Sequence, residues 1–344
     1  MADVALQSIF DEARRALDSG DADLAIGIVQ HVLRYAPDVI EAHRLLGEAY
    51  LNAGQSEQAV AAFEAVLRAD PENIAAYYGL GLAQQGLDRR MEAIHAFERA
   101  LEIQPNLADL RTQLLQLYAE TPGSAGQFRL SRSGLGRLYA RGQMYAQAID
   151  EFRAVLENEP DRDDVRVALA ETLWRDGQED EAADWCREII RRQPELHKPT
   201  VILGYLQLAA GQPEGEALWR RAARQDPALQ TAYGLFDILP PVQIAEPVIP
   251  AFDERTWREE QTRPLVEPPV EAVRVAVPSE DDITAPRQES MQAPVASPPQ
   301  PRATAVLSDD DLLASLLGLD GEETTESELA PLQQPAPSSS AEDN

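Results

Sequence analysis

The chain has 344 residues, 44% of them apolar but only 6% aromatic, with a formal net charge of −29 and a single cysteine. So acidic a chain repels phosphate, which sets nucleic acid and anionic membrane aside as partners, and one cysteine excludes an internal disulfide and a cysteine-built metal cage. Lys198 is the only lysine among 30 basic residues, and small and helix-forming residues dominate, a mix suited to closely stacked helices.

Read from the N-terminus, Val4 to Phe10 is helix-like and lacks the basic stretch and long apolar run of a secretory leader. No stretch reaches the roughly 18 apolar residues of a membrane helix, so a cytoplasmic protein is expected. Leu6 to Val39 then forms a first unit, with Ala25, Val29, Val32 and Pro37 in register and Glu12-Ala13 at an otherwise Leu-Gly position. A second unit, Ile40 to Asn73, carries His43, Leu46-Gly47, Tyr50, Ala59, Phe63, Val66 and Pro71; a third, Ile74 to Leu107, carries Tyr77, Leu80-Gly81, Ala93, Phe97, Ala100 and Pro105. Pro37, Pro71 and Pro105 are spaced 34 residues apart. First helices should end near Gly54 and near Gly86 to Asp88, because glycine accepts the left-handed backbone that closes a helix. Phe97 reads as core, and Gln84 as a side chain whose loss costs little.

This register resembles the tetratricopeptide repeat, whose W-x2-L-G-x2-Y, A-x3-F, P landmarks recur in a 34-residue helix-turn-helix unit. The resemblance implies an α-solenoid, and the divergent first unit suits a terminal cap.

Ala108 to Tyr118 supplies one further helix, and Thr121-Pro-Gly-Ser-Ala-Gly126 follows where its partner helix would stand. The pattern restarts with Leu135-Gly136, Tyr139, Ala148, Phe152, Val155 and Pro160, continues with Leu169-Ala170, Ala182, Cys186, Ile189 and Pro194, and closes with Leu203-Gly204, Trp219, Ala222 and Pro227. Cys186 falls where Phe63 and Phe97 fall, so a buried structural thiol is expected. The whole reads as an all-α solenoid of about six helix pairs in two blocks. Residues 1–120 and 129–239 each end in a lone capping helix, and residues 121–128 form a hinge between them.

From Pro240 to Asn344 the chain concentrates 16 of its 25 prolines and carries 21 acidic against 6 basic residues. Such a segment buries too little apolar surface to offset about 1–2 kcal/mol of backbone entropy per residue, and disorder is expected over 240–344. Within it Ser308 can cap a short helix over 308–318 that gathers Leu312, Leu313, Leu316 and Leu317 on one face. Two or three turns are marginal alone in water, so this helix is expected to form on a partner.

No metal-ligand spacing joins His31, His43, His95 and His197, and neither a phosphate loop nor a nucleophile elbow is present. Gly79-Leu-Gly81 lies inside a repeat helix without the preceding strand of a dinucleotide fingerprint. The chain is therefore read as a non-enzyme without cofactor or metal. The resemblance implies a concave groove lined by first helices, with Arg44, Tyr78, Gln113, Gln116, Arg137, Arg141, Arg175, Lys198 and Tyr205 as the residues facing it. Arginine and tyrosine carry much interface energy, and the set points to a protein or peptide partner that is acidic or carboxylate-bearing in part. Some family members clamp a chaperone's C-terminal carboxylate with lysine and asparagine; here Arg44, Glu48, Tyr78 and Leu82 stand at those offsets, which argues against that ligand. The expected function is an adaptor with the tail helix as a second interaction motif. The alternative is a regulatory subunit of a larger enzyme, secretion or signalling complex, held back by its own tail.

Overall fold

Apolar residues at helical spacing, punctuated by glycine and proline, fold here into successive helix pairs: α1 (Leu6–Asp18) with α2 (Ala22–Tyr35), α3 (Ile40–Asn52) with α4 (Ser56–Ala69), and α5 (Ile74–Gly86) with α6 (Arg90–Ile103). After α7 (Ala108–Glu120) come α8 (Arg132–Arg141) with α9 (Tyr145–Asn158), α10 (Asp163–Arg175) with α11 (Glu179–Arg192), and α12 (His197–Ala209) with α13 (Glu214–Gln225). The computed structural model describes residues 3–123 and 128–261, all within one compact unit, Met1–Ser290. Part of the expected hinge and the leucine-bearing segment 308–318 lie outside the described residues.

Each second helix ends two residues before its repeat proline, at Tyr35, Ala69, Ile103, Asn158, Arg192 and Gln225. Proline lacks an N–H and pushes the residue before it out of the helical region, so the stop is built into the sequence. The turns within pairs place Gly20, Gly54, Gly177 and Gly211 at φ between 70° and 81°. In the third and fourth units Asp88 (φ 55°) and Gln143 (φ 59°) take that role, and α5 runs through Gly86. Asp21, Asn73 and Ser131 accept the Leu24, Ala76 and Gly134 amides at 3.0, 2.9 and 3.1 Å and so cap α2, α5 and α8. Each cap satisfies an amide that the helix itself leaves unpaired.

The Leu-Gly and Ala-x3-Phe landmarks meet in space. A Cβ on Gly47, Gly81 or Gly136 would stand 2.7, 2.2 or 2.7 Å from the ring of Phe63, Phe97 or Phe152, respectively. Glycine on the first helix lets the phenylalanine of the second reach the backbone, which sets the distance within these three pairs and explains why the two landmarks recur together in them. Cys186 is fully buried at the same offset, and burial pushes its thiol up to about 12, which leaves it inert as a nucleophile. Gln84, expected to be dispensable, is buried at 8% exposure with its Oε1 unpartnered among the described residues. The last turn of α5 is covered more fully at Gln84 than its polarity suggests.

Beyond α13 the short α14 (Gln230–Leu235) delivers Phe236 into a ring cluster, where it stacks on Tyr205 at 3.7 Å and meets Trp174 edge-on at 4.9 Å. The chain then turns back to its own beginning, and here the structure departs from the sequence-based expectation for residues 240–261. β2 (Val248–Pro250) pairs antiparallel with β1 (Asp3–Ala5), in the register Val4 opposite Ile249, and α15 (Glu254–Gln261) lies on α2. Average composition over 240–344 hides a local apolar group: Ile249 is buried, Phe252 packs edge-on against His31, and the Trp257 indole covers Gly27. His31 Nε2 meets the Pro250 carbonyl at 2.7 Å and Arg258 pairs with Asp21 at 2.9 Å.

A Cβ at Gly27 would lie 2.4 Å from the Trp257 ring. Gly27→Val is therefore expected to displace α15 while the repeat helices hold, seen as faster hydrogen exchange over 248–261 alone. Unchanged exchange there would contradict the packing of α15 on α2.

Candidate protein-binding face

In the first three units the first helices α1, α3 and α5 line a cleft of about 500 Å³. Arg14 and Leu17 enter it from α1, Arg44 and Leu51 from α3, and Tyr78 and Leu82 from α5. Tyr78 is 40% exposed and rests against Phe97 at 5.9 Å between ring centres. Gly79 beside it is held open by Phe63, since a Cβ would stand 2.2 Å from that ring. Arg44 pairs with Glu41 at 2.7 Å and with Glu48, while Arg14 pairs with Glu41 at 2.6 Å and Asp11 at 3.0 Å. Burial opposes the charge of Glu41, but its hydrogen bonds to Arg44 and Arg14 outweigh this and hold its carboxyl below its ordinary range. Burial raises Glu48, against the pull of Arg44. The cleft thus presents apolar surface and a tyrosine hydroxyl between arginines whose charge the chain itself already balances.

The remaining expected groove residues do not converge on this cleft. Gln113 donates to Gln85 at 3.2 Å, and Gln116 is exposed on α7. Arg137 is buried between Glu72 at 3.2 Å and Asp164 at 3.1 Å. Lys198 bridges Glu72 at 2.7 Å and Glu171 at 2.9 Å, and Arg175 pairs with Glu171 at 2.8 Å while its guanidinium lies 5.3 Å over the Trp174 ring. Arg141 donates to the Ile103 carbonyl at 2.5 Å, and Tyr205 is stacked on Phe236. The carboxylates expected from a ligand are supplied by the chain, from Glu72, Asp164 and Glu171. Reading the sequence could not find them, because Glu72 stands 65 residues from Arg137 and 126 from Lys198, and pairs so distant leave no local period. The two Glu72 pairs and the Arg162–Glu102 pair at 3.2 Å join segments on either side of residues 121–128.

Asp164 accepts from Arg162 at 2.8 Å as well as from Arg137. Burial penalises its charge, yet the hydrogen bond from Arg162 and the nearby Arg137 charge keep its carboxyl below the ordinary range. Burial likewise opposes Glu171, and Lys198 with Arg175 overrides it to hold that group at about 2. A carboxyl depressed in the folded state adds stability above its unfolded pKa and loses it as pH falls through the folded value. From Glu171 the loss is expected between pH 4.5 and about 2. Denaturant titrations across that window should show a steeper fall for the natural chain than for Glu171→Gln, and equal slopes would contradict the pairing.

Among the described residues no cluster of His, Cys, Asp or Glu could hold a metal ion, and no helix is long and apolar enough to cross a membrane.

Family models match in three places: tetratricopeptide repeat over residues 16–85 and again over 74–107, and the N-terminal repeats of surface lipoprotein assembly modifier over 103–186. No curated protein sequence matches. Similar solved structures include the MamA protein, at 21% identity over 55% of this chain and 92% of that one with a TM-score of 0.31. A tetratricopeptide repeat protein from Parabacteroides merdae aligns at 14% identity over 67% and 96%, TM-score 0.32, and the TPR2AB domain of yeast Sti1 in complex with pHSP90 at 18% over 67% and 95%, TM-score 0.30. The family-model matches fall on units already defined by the 34-residue register, three of which share the Gly–Phe contact, and the chain is a tetratricopeptide-repeat protein.

Proposed function

We propose that the chain is a non-enzymatic scaffold that binds a segment of a partner protein in the cleft formed by α1, α3 and α5. The observation that carries this reading is Tyr78: a large side chain left 40% exposed beside Leu82, in a cleft of about 500 Å³ on a rigid helical support. Tyrosine in such a setting supplies apolar area and a hydrogen bond at small entropic cost. Because Asp11, Glu41 and Glu48 already engage Arg14 and Arg44, the partner's contact at Tyr78 is apolar or aromatic, and an acidic group enters only by displacing one of those carboxylates. Leu312, Leu313, Leu316 and Leu317 extend the proposal as a second interaction motif in the tail.

Affinity capture from the source cell tests the cleft. Tyr78→Ala should lower recovery of a directly bound partner at least ten-fold with the thermal midpoint unchanged, whereas Tyr233→Ala, at a residue 68% exposed elsewhere, should not. Equal recovery with both variants would refute the cleft as the binding face.

A further inference from the structure

A second groove lies away from the first-helix face, between elements that the repeat pattern does not pair. It has a volume of about 500 Å³ and is bounded by the end of α2 with its following turn, by α13, and by the extended segment 243–249. Tyr35 and Val248, both in its lining, are 55% and 58% exposed. The segment approaching β2 is extended but unpaired up to Glu246: the amides of Gln243, Ile244, Ala245 and Glu246 donate to no other described residue, and the bond from the Leu6 amide to the Pro247 carbonyl continues the β1–β2 pairing by one residue. Extended backbone with free donors and acceptors is a template for one more strand.

Charge selects what kind of strand. Arg220 and Arg224 line the groove and face one acid, Asp38, in a chain whose net charge is −29. Arg220 also reaches Glu216 at 2.5 Å, a pair open to solvent on both sides and therefore easily exchanged. Positive charge is crowded here: burial, and then the neighbouring Arg224, lower the pKa of Arg221.

We propose that this groove docks an extended acidic peptide with apolar residues at alternate positions, which adds to segment 243–249 as a strand and points its carboxylates at Arg220 and Arg224. Alternation follows from strand geometry, since successive side chains face opposite ways. One set packs beside Tyr35 and Val248 while the other meets the arginines.

Fluorescence polarisation with the full chain tests this, using a fluorescein-labelled Glu-Val-Asp-Val-Glu-Val peptide, its Lys-Val-Arg-Val-Lys-Val counterpart, and the acidic peptide N-methylated at alternate amides. The acidic peptide should bind saturably, and the basic and N-methylated forms at least ten-fold more weakly. Arg220→Glu/Arg224→Glu should weaken the acidic peptide at least ten-fold with the circular dichroism unchanged, and Tyr78→Ala should leave its affinity as it is. Absence of saturable binding, or equal binding by the double variant, would overturn the proposal. Loss of binding in Tyr78→Ala would overturn it in favour of the first-helix cleft. A dimer in sedimentation that the double variant abolishes would assign the groove to a second copy of the chain instead.

Discussion

Phe97→Ala should lower the free energy of unfolding by about 3–5 kcal/mol, the cost of removing a large side chain from a core that cannot collapse around the loss. Phe97 is fully buried, lies against the α5 backbone where Gly81 leaves room for it, and supports the exposed Tyr78 ring from beneath. The side chain therefore ties the core of the third unit to the candidate cleft. His95, on the same helix with 69% of its side chain exposed, provides the control, and His95→Ala should change stability by less than about 0.5 kcal/mol. Comparable losses at both positions in urea titrations would mean that α6 presents a different face to the core.

The second large effect is electrostatic. Asp164→Ala should cost about 3–5 kcal/mol, because it leaves two buried arginines short of a counter-charge. Arg137 and Arg162 have side chains only 6% and 13% exposed, and both bond to Asp164. Each retains another partner, Glu72 for Arg137 and Glu102 for Arg162, so the loss should exceed that of either ion pair alone yet leave the helices formed. Asp184→Ala offers the contrast, since Asp184 pairs with Arg187 at the surface and exposed pairs contribute roughly 0–1 kcal/mol. A deficit for Asp164→Ala no larger than for Asp184→Ala would show that the buried network adds nothing to the fold.

The features legible in the sequence were those with a local cause. Ile40 and Ile74 open α3 and α5 at the expected unit boundaries, the six prolines stop six second helices, and Cys186 is buried where its offset from Ala182 placed it. In each case the determining residues lie within one 34-residue unit. The reading failed where partners are far apart in the chain. β1 pairs with β2 across some 240 residues, and three residues of strand have no detectable alternation. Trp257 and Phe252 sit in a Pro- and acid-rich region whose average conceals them, although an aromatic pair five residues apart beside Ile249 was a signal available to a shorter window. For the candidate face, Arg44 and Tyr78 share a repeat offset and line the same cleft. Arg137, Arg175 and Lys198 stand at other positions of their units, where Glu72, Asp164 and Glu171 pair with them inside the chain. Repeat position specifies which way a first-helix residue points, while the residue opposite decides whether it is free to bind.

That distinction is open to direct measurement by photo-crosslinking with p-benzoylphenylalanine placed, in separate full-length chains, at Tyr78, which is exposed in the cleft, and at Tyr205, which is stacked on Phe236. Irradiation in the source cell should yield a discrete covalent adduct with a partner protein from position 78 and none from position 205; adducts from 205 alone, or from neither position while the partner still co-purifies, would contradict a binding face built on α1, α3 and α5.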